Sequence, residues 1–349
     1  MIIKMAVADS NIDYIQRLIS VLEGYGELQL SVYTERAALE HALTSKHFDV
    51  LLFDSSVYDG QIRTEENTLA VMLLDETSDI PESLHTYKKV RKYQRISRIY
   101  QQILELYSEI CGEADGVLGG NGVRTIAFYS PIGGAGKTTV ALASAARLAK
   151  MGYRVFYMSL EDIASEDCYL PQGNERGLSE VVACLGEKIN FTMKLQSLLQ
   201  NKDDKLFYLN HFESPNDIYE MHEEEIAELL EQIGKTGLFD VIIVDTGISL
   251  DKKMVALFEN MDKVVIVEKE DAISLRKLKC FLEQSHIMNE YAHKMCRVIN
   301  FDIGRGSMLT NTNIPVIGKI DAVQNPEPAQ FIAMLANAAE CSFVSQLVN

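Results

Sequence analysis

The chain has 349 residues, 47% of them hydrophobic and 24% charged, which suits about two or three packed domains and is too apolar for general disorder. With 33 basic against 50 acidic residues the formal net charge is −17. A sequence-independent grip on DNA or anionic lipid needs Lys and Arg to replace counterions, so nucleic acid is not an expected partner. Cysteines at 111, 168, 184, 280, 296 and 341 form no C-x-x-C pair, and the histidines show no ligand spacing. Both read as ordinary residues of a reduced, cytoplasmic protein rather than a metal centre. The start, MIIKMAVADSN, meets Asp9 too early for a signal peptide, and no apolar run of about eighteen residues exists for direct membrane insertion.

In chain order, residues 2–8 read as a buried strand ending at Asp9, followed by a helix with Ile12, Ile15, Leu18, Ile19 and Leu22 at spacings of three and four. A strand at 28–33, a helix at 36–44, a strand at 48–53 ending at Asp54 and another at 69–74 come next. Alternation of strands and helices implies a parallel, doubly wound sheet with functional residues at the carboxyl ends of its strands. Asp9 and Asp54 are thereby placed to share a pocket. Residues 88–110 read as helical. The glycine-rich stretch 112–122 reads as a linker between a first domain, 1–111, and a second, 123–349. The second domain repeats the α/β pattern, with strands expected at 125–129, 154–159, 206–209, 241–244, 264–267, 297–300 and 316–317, and a last helix over 329–348.

The most specific segment is Ser130-Pro-Ile-Gly-Gly-Ala-Gly-Lys-Thr-Thr139, set between the strand TIAFY and an alanine-rich helix. Gly133, Gly134, Ala135 and Gly136 allow backbone amides to curl around phosphate oxygens, and the helix that follows adds its N-terminal dipole. Lys137 would reach the β- and γ-phosphates of ATP, the Thr138 hydroxyl would hold Mg²⁺, and Thr139 continues the first turn. Downstream, Phe239-Asp-Val-Ile-Ile-Val-Asp245 is an apolar strand ending in an acid, and behind a phosphate loop Asp245 reads as part of the Mg²⁺ shell, through water.

These residues resemble the deviant Walker A loop K-G-G-x-G-K-[ST] of the ParA/MinD ATPase superfamily, over about residues 122–335. In that family the first lysine crosses a dimer interface to the partner's nucleotide; the matching residue here is Ile132, which carries no charge. The family's D-x-D after the second strand is matched by Ser159-Leu160-Glu161, leaving Glu161 to orient water or touch Mg²⁺. Val298-Ile-Asn300 is similar to the strand whose terminal Asn reads adenine. The resemblance therefore implies ATP and Mg²⁺ as cofactors and a homodimer, with the departures at Ile132 and Ser159 pointing to slow hydrolysis at most.

Residues 1–100 resemble a response-regulator receiver, with Asp54 at the phosphoacceptor position. Ser10 and Asn11 follow Asp9 where a second acid is usual, the contacting lysine is one of Lys88, Lys89 and Lys92, and the family's Lys-Pro pair is missing. That pattern favours a degenerate receiver used for docking or dimerisation over a phosphorylated one. The fold expected is α/β throughout, a receiver-like (flavodoxin-like) domain followed by a P-loop NTPase domain. Joined in this order, the two resemble the TadZ/CpaE proteins, which position or assemble Tad (Flp) pilus machinery. The resemblance implies pilus-assembly or other localised proteins as partners and recruitment through them to a cell pole or the inner face of the membrane. The alternatives are a non-hydrolysing adaptor or scaffold dimer and, with less support from an acidic chain, a ParA-like partitioning ATPase.

Overall fold

The computed structural model describes residues 2–25, 27–59, 68–75, 82–111, 122–163, 165–171, 177–187, 189–203, 205–302, 312–323 and 327–348. The proposed linker, apart from Gly122, lies outside them. The chain divides into two compact units, Met1–Asp115 with Glu187–Ser197, and Gly116–Gly186 with Leu198–Asn349.

In the first unit, β1 (Ile3–Ala8), α1 (Ile12–Leu22), β2 (Leu28–Tyr33), α2 (Arg36–Ser45), β3 (Val50–Phe53), β4 (Leu69–Leu74), β5 (Lys88–Arg91) and α3 (Ile96–Cys111) follow one another. The described strands pair in parallel in the order β2-β1-β3-β4-β5. Side chains of successive strand residues point to opposite faces, so Ile3, Met5, Val7, Val50 and Leu52 pack with α1 and α3 while Ala6, Ala8, Leu51 and Phe53 pack on the other side. Burial on both faces explains why β1 and β3 read as continuous apolar runs. From β1 the chain winds to β2 on one side and then to β3 on the other, so the carboxyl ends of β1 and β3 meet where the strand order reverses.

The helix expected over 88–110 is a strand, a turn and a helix. Lys88, Lys89 and Arg91 are exposed and Val90 is buried, as on a charged edge strand that resists pairing with other chains. Such a strand carries too few apolar residues to announce itself.

In the second unit, β6 (Arg124–Tyr129) leads to α4 (Lys137–Lys150) and β7 (Val155–Leu160). Then come α5 (Leu178–Ala183), α6 (Phe191–Leu198), which belongs to the first unit up to Ser197, and, back in the second unit, β8 (Gln200–Asp203), β9 (Leu206–Tyr208), α7 (Pro215–Glu220) and α8 (Glu223–Lys235). After β10 (Val241–Thr246) follow α9 (Lys252–Asn260), β11 (Lys263–Glu268), α10 (Ala272–Leu282), α11 (Ser285–Tyr291), β12 (Met295–Asp302), β13 (Val316–Asp321) and α12 (Pro328–Asn337). The sheet order among the described residues is β13-β12-β11-β6-β10-β7-β9-β8, parallel except for β8 at the edge. From β6 the chain passes beyond β10 to β7, and from β10 it returns past β6 to β11. The ends of β6 and β10 thus form the crevice in which α/β sheets bind ligands. The small residues Ala141, Ala143, Ala145 and Ala146 of α4 are buried, which lets this helix lie close to the sheet and to α12, where Arg147 donates to the Ala336 carbonyl at 3.0 Å.

Two departures from the sequence reading stand out. The last helix stops at Asn337, where Ala338 turns extended (ψ 155°) and a 3₁₀ segment, Ala339–Leu347, buries Cys341, Val344 and Leu347 at intervals of three. The excursion 187–197, in the middle of the second domain by sequence, packs with the first unit. Met193 joins the core formed by α1, α3 and β1, Asn190 N donates to Ser108 O at 3.2 Å, and Lys194 pairs with Glu105 at 3.1 Å. No helix among the described residues is long and apolar enough to cross a membrane.

Candidate functional site

The loop after β6 is held from both ends. Ser130 Oγ donates to the Val267 carbonyl on β11 at 2.6 Å and accepts from Ile132 N at 3.2 Å, so the turn out of the strand is fixed without a glycine. Ile132 is 4% exposed; its side chain packs inward. Gly134 and Gly136 have φ of +66° and +80°, a region that disfavours any side chain. Gly136 also faces Asn300 at the end of β12: a Cβ there would sit 2.3 Å from Asn300 Nδ2, which donates to Ala135 O at 2.8 Å. Gly136→Ala is therefore expected to destabilise the unit by at least about 1–2 kcal/mol from the backbone alone, with Asn300 displaced from Ala135. A denaturant titration measures this, and unchanged stability would contradict the geometry.

Gly136 is the N-cap of α4, and no side chain caps it, so the first-turn amides of this helix are free to face an anion. In that turn lies Lys137, 6% exposed. Its Nζ stands 2.6 Å from Asp245 Oδ1 and 2.8 Å from Glu161 Oε1. Tyr157, on β7, donates its hydroxyl to Asp245 Oδ2 at 3.1 Å, fixing an acid that is wholly buried. Thr138 Oγ1 donates to Glu161 Oε2 at 3.3 Å, with Thr139 half-buried beside it. Burial alone would push the Lys137 ammonium down; the charges of Asp245 and Glu161 outweigh it and hold it above its usual value. Burial, then the Asp245 charge, pushes Glu161 up, offset in part by Lys137 and Thr138. A cation, a hydroxyl and two carboxylates therefore converge at an uncapped helix N-terminus.

The first unit has a parallel cluster at its own crevice. Lys92 follows β5 directly, and its Nζ lies 2.5 Å from Asp9 Oδ2 and 2.6 Å from Asp54 Oδ2, with the side chain 6% exposed. Ser56 N donates to Asp54 Oδ1 at 2.8 Å, and the Ser10 and Ser56 hydroxyls meet at 2.8 Å. Burial would raise the Asp54 carboxyl, but Lys92 and Ser56 outweigh it and hold it below its usual range. Of the three lysines left open by the sequence, geometry selects Lys92.

The sequence profile of a family described as an AAA domain matches residues 123–298, half of the chain. The chain belongs to this family. No curated protein matches it in sequence. The AAA domain here has the fold of the ParA/MinD P-loop ATPases. It resembles the crystal structure of a ParA family ATPase from Chlorobium tepidum TLS, 19% identical, with TM-score 0.53 over 64% of this chain and 97% of that one. It likewise resembles MinD from the MinC:MinD complex of Aquifex aeolicus, 20% identical, with TM-score 0.51 over 64% and 95%.

The structure brings Gly133–Thr139, Glu161 and Asp245 of the AAA domain together around Lys137. Asn300 also reaches this crevice, where its Nδ2 donates to the Ala135 carbonyl of the phosphate loop at 2.8 Å. Asp54 and Asp9 lie in the other unit. Sequence reasoning missed Tyr157, whose position two residues before Ser159 on a strand buried throughout carries no distinctive signal, and Ser130, which does by hydrogen bonding what a glycine does by conformation.

Proposed function

We propose that this chain is an ATP- and Mg²⁺-binding protein of ParA/MinD type, with slow hydrolysis at most, that works as a homodimer to position or assemble a Tad (Flp) pilus or secretion machine. The observation that carries the nucleotide reading is the uncapped α4 N-terminus with buried Lys137 beside Thr138 and Asp245. The residues fit the group: Gly133–Thr139 would wrap the phosphates, Lys137 would neutralise them, and Thr138 and Asp245 would hold the metal. Bound Mg²⁺ would offset phosphate charge. Slow turnover is supported by Ile132, which is buried where the family's crossing lysine would stand and cannot supply charge to a partner's nucleotide.

The pilus role rests on resemblance. The five-stranded order 2-1-3-4-5 of the first unit, shared by flavodoxin-like and receiver folds, supports a receiver-like reading, with Asp54 in the phosphoacceptor position. Ser10 and Asn11 in place of a second acid, with the Lys-Pro pair missing, support docking or dimerisation over phosphorylation. MinD of Aquifex aeolicus crystallised with a partner protein, MinC, and recruitment to a pole or the membrane face would here also run through partners.

Light scattering with Mg-ATP, Mg-ADP and no nucleotide tests this reading. A dimer formed with Mg-ATP and lost in Lys137→Ala is expected. A folded protein that binds no nucleotide overturns it. The second reading, an adaptor without turnover, is favoured by Ile132 together with Ser159, buried where the family carries its first acid; one mass under every condition, with nucleotide bound, would select it.

A further inference from the structure

The two carboxylates around Lys137 are not equivalent. Asp245 is wholly buried and tied to Tyr157, so it is a fixed part of the crevice. Glu161 stands one residue beyond the end of β7, and its side chain keeps 21% of its exposure. It uses both oxygens, Oε1 on the Lys137 ammonium and Oε2 on the Thr138 hydroxyl. Those are the two side chains of the α4 first turn that a phosphate and its metal would need. A planar anion bridging a cation and a hydroxyl at an uncapped helix N-terminus imitates two oxygens of a phosphate group.

We propose that Glu161 is an internal stand-in for the nucleotide's phosphate, holding Lys137 and Thr138 until a nucleotide displaces it toward solvent and so setting nucleotide affinity low. The inference rests on the nucleotide reading above. Displacement is possible for Glu161 because it is partly exposed and on a strand end. It is closed to Asp245, which remains as the partner of Lys137 after Glu161 has left.

Affinity for a fluorescent ATP analogue, measured in EDTA and again in Mg²⁺ for the wild type, Glu161→Gln, Glu161→Ala and Asp162→Asn, tests it. Loss of a charge-assisted contact to Lys137 predicts that Glu161→Ala binds about tenfold or more tighter than the wild type in EDTA. Glu161→Gln should fall between them. Asp162 is the neighbouring exposed carboxylate, and Asp162→Asn controls for the general removal of negative charge, with an expected change of about twofold or less. Thermal unfolding of each variant reports folding, which Asp245 should preserve by keeping Lys137 paired. Wild-type binding with no tightening in Glu161→Ala, or tightening matched by Asp162→Asn, overturns the stand-in role alone. Folded proteins that all fail to bind overturn it together with the nucleotide reading, whereas binding gained only in the Glu161 variants supports both.

Discussion

Lys137→Ala is expected to remove measurable nucleotide binding and to destabilise the second unit by about 3–5 kcal/mol at neutral pH, the usual cost of stripping one partner from a buried ion cluster. The variant leaves buried Asp245 and partly exposed Glu161, both within 2.8 Å of the lost Nζ, as neighbouring carboxylates without a cation. The pH dependence has a definite sign. Glu161 is already raised in the folded protein, first by burial and then by Asp245, so the folded state holds its proton more tightly than the unfolded chain does. Stability from such a group is present at low pH and lost as pH rises through the raised value. Without Lys137 that rise is larger, so the deficit of Lys137→Ala relative to the wild type should shrink from pH 8 toward pH 5. Denaturant titrations of both proteins across that range, with a fluorescent-nucleotide titration at neutral pH, measure the two effects. A deficit that grows on acidification would show that Lys137 does not neutralise the pair.

Lys92→Met should have the second largest effect, of similar size and confined to the first unit. In the wild type Asp54 is held below the usual carboxylate range, so it contributes stability above the unfolded value, lost as pH falls through the depressed one. Removing Lys92 leaves Asp9, 1% exposed, beside Asp54, 12% exposed, and burial then dominates. The sign reverses: the variant loses stability as pH rises through the carboxylate range. The expected loss is about 3–5 kcal/mol at neutral pH. Lys92→Met combined with Asp54→Asn should recover much of it, because one buried charge has gone. Equal losses in the single and double variants would mean that packing of the lysine stem, rather than its charge, is what the first unit needs.

The phosphate loop, Glu161 and Asp245 were legible because each is local: glycines before a Lys-Thr pair, or an acid at the end of an apolar strand. What joins them is the order of strands, and that is set by long-range pairing that no short segment encodes. The choice among Lys88, Lys89 and Lys92 shows the difference. All three look alike in sequence, yet β5 ends at Arg91, and Lys92 alone stands just beyond the carboxyl end of the strand, facing Asp9 and Asp54. β5 itself was read as helix because a charged edge strand lacks the continuous apolar run that the buried strands show. Asn300 was legible as a strand-end residue, whereas its partner, a carbonyl of the phosphate loop 165 residues away in sequence, was not.

The excursion that places Met193 in the core of the first unit bears on the order in which the chain can fold as it is made. Domains generally fold in turn from the N-terminus during synthesis, at about 5–20 residues per second. Here the first unit lacks part of its core when α3 has been made. Met193, Asn190 and Lys194 arrive only after the phosphate loop and β7 of the second unit have been synthesised. The first unit must wait, with one member of the apolar cluster that includes Ile103 and Tyr107 missing, until residues that follow β7 have been made. Nascent chains halted before residue 187 should accordingly be more readily cleaved by protease in the first unit than chains halted well beyond residue 197.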